Sequence, residues 1–165
     1  MYHEPIKGAG AERRDELGNF NKAYRKQPHR GSDWGFKGGS EGKPVYAVAN
    51  GVVADVLWSD ALGQCIITKN SHDHVYVIFA HLADKPTLKR LEKVEGGKTV
   101  LGKIGNTGSA SAGAHLHAAA SLAPKPHMAS TPALLDLFKL IGKVAEPKPA
   151  AKAPAKKPAT KKAAK

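Results

Sequence analysis

Two runs rich in β-branched and apolar residues, Val45-Tyr46-Ala47-Val48-Ala49 and Val52-Val53-Ala54-Asp55-Val56-Leu57-Trp58, flank the dipeptide Asn50-Gly51. Asn-Gly tolerates the positive φ angles of a tight two-residue turn, so the pattern predicts a β-hairpin. Further short runs of the same character follow at residues 65–68, 75–80, 98–105 and 115–120, separated by polar or small-residue segments. Short strands at this spacing predict a mainly β fold, an antiparallel sheet or open barrel. Two helical pieces are expected beside it. One covers residues 85–91. The other covers 131–142, with Thr131 as N-cap, Pro132 in the first turn and Gly142 at the end. The first 28 residues are polar and weakly patterned, and no structure is assigned to them.

The chain has 165 residues, 41% of them hydrophobic, which suits one domain with an appendage. The boundaries read as a polar N-terminal segment (1–28), a domain (29–142) and a tail (143–165). Alanine, lysine and proline make up 18 of the last 20 residues, and no apolar side chain there exceeds alanine. Such a segment cannot offset the entropy of ordering it, so the tail is expected to be disordered. It holds net +7 of the formal +12, which leaves the body only mildly basic at +5. The tail's charge suits anionic wall polymers, a membrane surface or nucleic acid. So small a charge on the body weakens any reading in which nucleic-acid binding through a basic face is the function.

One cysteine excludes an internal disulfide framework and any multi-cysteine metal site. Cys65, in an apolar run, reads as a small core residue. No run approaches the ~18 apolar residues of a membrane-spanning helix, and the N-terminal MYHEPIKGAGAERR has no apolar signal-peptide region.

The eight histidines carry the functional argument. His115 and His117 stand two apart in a predicted strand, so both imidazoles project from one face. His29 and Asp33 form a second pair in His-Arg-Gly-Ser-Asp-Trp-Gly, and imidazole with carboxylate makes a suitable zinc donor set. His81 ends the apolar run Phe79-Ala80-His81-Leu82. His72 and His74 lie in a polar connector and read as an exposed loop. His3 and His127 read as solvated. Gly105-Asn106-Thr107-Gly108 lacks the Gly-Lys-Ser/Thr ending of a phosphate loop and is read as a groove wall. Trp58 is expected in the core.

Taken in order, these segments resemble the lysostaphin-like M23 peptidases, the LytM-type zinc enzymes that cut peptidoglycan. The resemblance covers about residues 29–121: HRGSD for the family's H-x-x-x-D, PVYAVANGVV for its first hairpin, FAHL for its Y-x-H-L, and GKIGNTGSASAGAHLH for the loop into H-x-H. It implies one zinc ion held by His29, Asp33 and His117, with His115 and His81 as catalytic residues. His115 is read as the base. His81 is read as stabilising the oxyanion or handing a proton to the leaving amine. Tyr24, Trp34 and Asn106 are candidate substrate-binding residues. Ala114, Ala118, Ala119 and Phe79 depart from the family's usual proline, aromatic, acidic and tyrosine residues.

The resemblance implies a monomeric zinc endopeptidase acting on peptidoglycan stem peptides or cross-bridges. A basic tail without an export signal suits a phage endolysin. It would be made in the host cytoplasm and reach the wall once the membrane is permeabilised. A virion-associated lysin is the nearest alternative. A non-catalytic wall-binding or amidase-activating module would be expected to have lost ligands, and all five polar residues are present.

Overall fold

The computed structural model describes residues 1–19 and 27–142. Tyr24 and the whole basic tail, with its expected disorder, lie outside the described residues.

The expected mainly β, antiparallel architecture is present. The strands are β1 (Ala11–Asp15), β2 (Ser32–Phe36), β3 (Pro44–Tyr46), β4 (Gly51–Ser59), β5 (Gly63–Asn70), β6 (Tyr76–Leu82), β7 (Lys93–Val94), β8 (Val100–Lys103), β9 (Leu116–Ser121) and β10 (Leu134–Leu135), followed by helix α1 (Leu137–Gly142). The large sheet runs β1-β2-β9-β6-β5-β4-β7, with β10 on β9, and β3 pairs with β8 in a small second sheet.

The pleat divides the large sheet's side chains between two faces. Trp34 and Phe36 of β2, Phe79 of β6, and Leu116, Ala118 and Ala120 of β9 enter the main core. Cys65 and Ile67 of β5, Ile78 and Ala80 of β6, and Ala119 of β9 form a second cluster on the opposite face. Cys65 is fully buried, as expected, and burial pushes its thiol pKa up to about 12. Tyr2 and Ile6 join the main core and β1 extends the sheet, so this part of the polar N-terminal segment packs into the same body.

Three expectations about elements need correction. Asn50-Gly51 does not close a hairpin, because β3 pairs with β8 while β4 pairs with β5 and β7. Ala47 and Val48 bond elsewhere: Ala47 N to Thr99 O at 2.9 Å, Gly97 N to Ala47 O at 2.7 Å, and His3 N to Val48 O at 2.7 Å. Neither Asn50 nor Gly51 has a positive φ. Gly51 serves close approach instead, since a Cβ there would sit 2.1 Å from the Lys69 carbonyl oxygen.

Residues 85–91 are not helical. Their end lies along β4, with Leu91 N bonded to Val53 O and Val53 N to Glu92 O. Of residues 131–142, only α1 is α-helical. Thr131–Ala133 is a 3-10 turn, and Leu134 and Leu135 spend their backbone groups pairing with Ser121 and Ala120. The helix start is set by Asp136, whose Oδ1 accepts the Lys139 amide at 3.1 Å. Trp58 is 55% exposed, its indole N–H donating to Asp60 Oδ1 at 3.1 Å, and is not a core residue.

Candidate metal centre and catalytic groove

The centre is assembled by cross-strand register. Asp33 of β2 stands directly opposite His117 of β9, and Ala80 of β6 is opposite His117 on its other side. Asp33 and His117 project from the face away from the main core. His29 reaches the same point from the loop before β2. Its amide donates to Asn19 O at 2.9 Å, its carbonyl accepts from Gly18 N at 2.8 Å, and its Nδ1 donates to Glu16 O at 3.1 Å. Because a carbonyl only accepts, Nδ1 carries the proton and Nε2 presents its lone pair. Asp15 Oδ2, 3.5 Å from the same Nδ1, adds a carboxylate behind the ring.

His29 Nε2, Asp33 Oδ1 and His117 Nδ1 converge. The separations are 3.1 Å between the two imidazole nitrogens, 3.2 Å from His29 to Asp33 and 2.9 Å from His117 to Asp33. Donors bonded at about 2.0–2.1 Å to one tetrahedral zinc stand about 3.3 Å apart. The donor chemistry, the spacing and the bond behind His29 therefore fit a zinc ion. All three residues are buried. Burial favours the neutral form of Asp33, but hydrogen bonds and charge from His117 and His29 outweigh it and hold the carboxyl below the usual carboxylate range. Burial pushes the His117 pKa down, and its bond to Asp33 offsets part of that.

His81 enters through a break in the pleat. Phe79 pairs with Ile66 and Leu82 with Gln64, so Ala80 and His81 together oppose Cys65. This is a β-bulge, and His81 has φ 58, a left-handed conformation costing a non-glycine residue about 1–2 kcal/mol. Strict alternation would send His81 into the core beside Phe79. The bulge turns it to the opposite face and returns Leu82 to the core. Strain of this kind is kept where the surroundings over-determine it. Here His81 N donates to Leu62 O at 2.8 Å, Gly105 N donates to His81 O at 3.0 Å, and His81 Nδ1 donates to Thr107 O at 2.7 Å. Burial pushes its pKa down to about 4 against the opposing pull of the Thr107 bond, so the ring is neutral at pH 7.

His115 precedes β9, and its Nδ1 donates to Gly113 O at 2.7 Å. Its Nε2 is the lone-pair nitrogen and stands 3.8 Å from Asp33 Oδ1. The His81 ring lies 4.8 Å from that of His115 and 5.9 Å from that of His117. All five polar residues thus line one groove of about 830 Å³.

Among the candidate substrate residues, Trp34 is corrected. It follows Asp33 on a strand, so it points to the opposite face. It is 1% exposed, packs edge-on against Phe138 at 4.8 Å and donates to Glu4 Oε2 at 2.9 Å. Asn106 is exposed and accepts from Ser111 Oγ at 2.6 Å; the groove wall is built instead from Ala110, Ala112, Gly113 and Ala114 of the same loop. His72 is exposed, as expected, with Nε2 3.0 Å from Asp73 Oδ2. His127, expected to be solvated, lines the groove, with Nδ1 buried and lacking a hydrogen-bond partner among the described residues.

The sequence reading missed several residues. Gly31 admits the His117 ring, since a Cβ there would sit 2.5 Å from Cε1 and 2.7 Å from Nε2. Its place inside His-Arg-Gly-Ser-Asp was the available signal. Thr107 anchors His81 from within the segment read as a wall. Glu16 and Asp15 support His29 from a region that carried no pattern.

Comparison with known proteins gives a consistent result. No curated protein sequence matches the chain. The fold is similar to the catalytic domain of the antimicrobial peptidase lysostaphin from Staphylococcus simulans, with TM-score 0.65 and 22% identity over 80% of this chain and 92% of that one. It is similar to a zinc-containing peptidase from Vibrio cholerae, with TM-score 0.63 and 22% identity over 82% of this chain and 38% of that one. A third likeness is to the catalytic domain of EnpA, a prophage-encoded M23 protein from Enterococcus faecalis, with TM-score 0.59 and 24% identity over 72% of this chain and 85% of that one. The model of Peptidase family M23 matches residues 27–126, which contain His29, Asp33, His81, His115 and His117. The chain belongs to peptidase family M23.

Proposed function

We propose that this protein is a zinc-dependent endopeptidase that hydrolyses peptide bonds in bacterial peptidoglycan, in stem peptides or cross-bridges. The observation that carries the reading is the convergence of three buried donor atoms, 2.9–3.2 Å apart, in a groove that two further imidazoles share. His29, Asp33 and His117 would hold the metal. When bound, zinc supplies a Lewis acid for the scissile carbonyl and lowers the pKa of a coordinated water to about 7.

The chain's own residues do the rest. His115 presents its Nε2 lone pair toward the centre, 3.8 Å from Asp33 Oδ1, and takes a proton there from the attacking water. His81 commits its Nδ1 hydrogen to the Thr107 carbonyl. Its neutral Nε2 therefore first accepts a proton, the second of the attacking water after His115 has taken the first, before it can donate. That favours proton delivery to the leaving amine over oxyanion stabilisation, which needs a donor from the start. The bonds to Gly113 and Thr107 fix both tautomers and ring orientations in advance.

We read the biological setting as that of a phage endolysin. The fold likeness to prophage-encoded EnpA supports it. The lysine-rich residues 143–165 suit attraction to anionic wall polymers, an attraction that salt would screen.

The test is mass spectrometry of muropeptides released from purified walls of several cross-link types, with zinc and with a chelator. Chelator-sensitive release of new amine and carboxyl ends is expected. Intact cross-links in every wall, with folded protein and bound zinc, would overturn the reading.

A further inference from the structure

A second cleft, of about 510 Å³, lies at the β4–β7 edge of the large sheet, away from the metal centre. Two lysines flank it by register. Val52 of β4 stands opposite Lys69 of β5 on one side and Lys93 of β7 on the other. Residues paired across neighbouring strands point to one face. Both lysine side chains therefore leave the sheet on the same side as Val52, with Cα atoms about 10 Å apart. That side is the one the metal centre uses. Lys69 follows Ile67 by two residues, and Ile67 belongs to the cluster on the face away from the main core. Counted through Ala80, Tyr76, Lys69 and Val52, the cleft lies about 20 Å along the sheet from His117.

Among the described residues, neither ammonium has a carboxylate within ion-pair distance. Glu95 is the one carboxylate lining the cleft, and Lys98 holds it at 2.9 Å. Lys69 Nζ stands 5.4 Å from the centroid of the ring of Tyr76, its partner on β6. That contact steadies the arm without using a hydrogen-bond donor. Asn50 Oδ1 accepts the Gly96 amide at 2.8 Å, which orients the side chain and leaves its NH2 group for a ligand. Val52 and Val94 add apolar walls. The cleft thus offers two uncompensated cations, an amide donor and apolar contact, a set that suits an anion carried on a short carbon chain. Lysine binds phosphate as a point charge, whereas a planar carboxylate is matched better by a guanidinium fork. No tyrosine, tryptophan or phenylalanine lines the cleft, so it lacks the stacking platform that nucleic-acid bases use.

We infer that Lys69 and Lys93, with Asn50, form a site in the folded body for the phosphodiester of a polyol-phosphate wall polymer. The site is separate from the attraction assigned to residues 143–165. It goes beyond the peptidase reading and does not depend on it, because its test reads binding alone.

The test is an NMR titration of the isotopically labelled full chain with a glycerol-phosphate hexamer, followed at backbone amides. Signals of Gly51, Val52 and Val94 are expected to shift and saturate. The dissociation constant fitted from them should rise at least about tenfold in Lys69→Gln/Lys93→Gln, as the loss of two charge-assisted contacts implies. It should stay within about twofold in Lys161→Gln/Lys162→Gln, which removes the same charge from the tail. Thermal unfolding at the native temperature confirms that both variants are folded. Shifts confined to residues 143–165, or the same constant in the native chain and the cleft variant, would overturn the inference. So would hexaglutamate binding the cleft as tightly as the glycerol-phosphate hexamer, since charge without phosphate would then suffice. A thymidine hexanucleotide binding it as tightly would overturn the assignment to a wall polymer in favour of nucleic acid.

Discussion

His81 and Thr107 are joined twice over. His81 Nδ1 donates to the Thr107 carbonyl at 2.7 Å, and Thr107 Oγ1 donates to the carbonyl of Leu82, the residue after His81, at 2.7 Å. The same hydroxyl accepts the Gln64 amide at 3.0 Å, on the strand opposite the bulge. One side chain thus clamps both sides of the break that turns His81 toward the groove. Thr107→Val keeps the shape and removes the hydroxyl. It should cost about 1–3 kcal/mol of stability, because two partly buried backbone groups lose their partner. It should also lower kcat by about tenfold or more, with bound zinc unchanged, the equivalent of about 1.4 kcal/mol at the transition state. Thr107→Ser should restore most of both. The checks are thermal unfolding, zinc content and wall-hydrolysis kinetics. A Val variant with native kcat would remove Thr107 from the positioning of His81.

Gly31 should be intolerant of any side chain. A Cβ would stand 2.5 Å from His117 Cε1 and 2.7 Å from the Ala118 carbonyl oxygen, so the ring must move or the strands part. Gly31→Ala is expected to weaken zinc affinity by about 10–100-fold, the usual effect of disturbing a ligand's support. Competition with a chromophoric chelator measures it directly.

Trp34 distinguishes core from groove. Truncating a fully buried tryptophan costs about 3–5 kcal/mol, so Trp34→Ala should unfold the protein or nearly so. Trp34→Phe should lower stability more modestly, by lost volume and the lost bond to Glu4, and leave KM on wall substrate unchanged. A large rise in KM at native stability would return Trp34 to substrate binding.

The metal-free protein should lose stability on mild acidification. Burial lowers the His81 pKa to about 4 from an ordinary 6.5, and lowers that of His117. Between about pH 4 and 6.5 the unfolded chain therefore binds more protons than the folded one, and stability rises with pH across that window. Asp33 acts in the same direction, because its pKa is also lowered in the folded state, but it is lowered from 3.8, so the stability it contributes is lost only below the window. Urea midpoints in chelator at pH 7.5, 6.0 and 5.0 should decrease in that order. His81→Asn should flatten the dependence in part, leaving the share due to His117.

Much of the site was legible in the chain itself. His115-x-His117 puts two imidazoles on one strand face because the side-chain period is two, and the structure keeps both at the groove. The ordered pairs His29/Asp33 and His115/His117 likewise end up together. The mainly β class followed from short apolar runs between turn residues. Trp34 failed by the same rule that made the histidines readable: the residue after an outward-facing Asp33 faces inward.

What only the tertiary structure decided was everything set by pairing between distant strands. Asn50-Gly51 carries a local preference for a hairpin. Yet Ala47 and Val48 found their hydrogen-bond partners at Gly97, Thr99 and His3, and long-range pairing overrode the local signal. Residues 134 and 135 left their expected helix for a sheet edge for the same reason. His81 reaches the groove through a bulge defined by two strands together, which no pattern within β6 alone encodes. Glu16 and Asp15 gained their places when β1 docked beside β2. Local sequence determines which faces and turns a segment prefers; which distant backbone satisfies its donors and acceptors is a property of the whole fold.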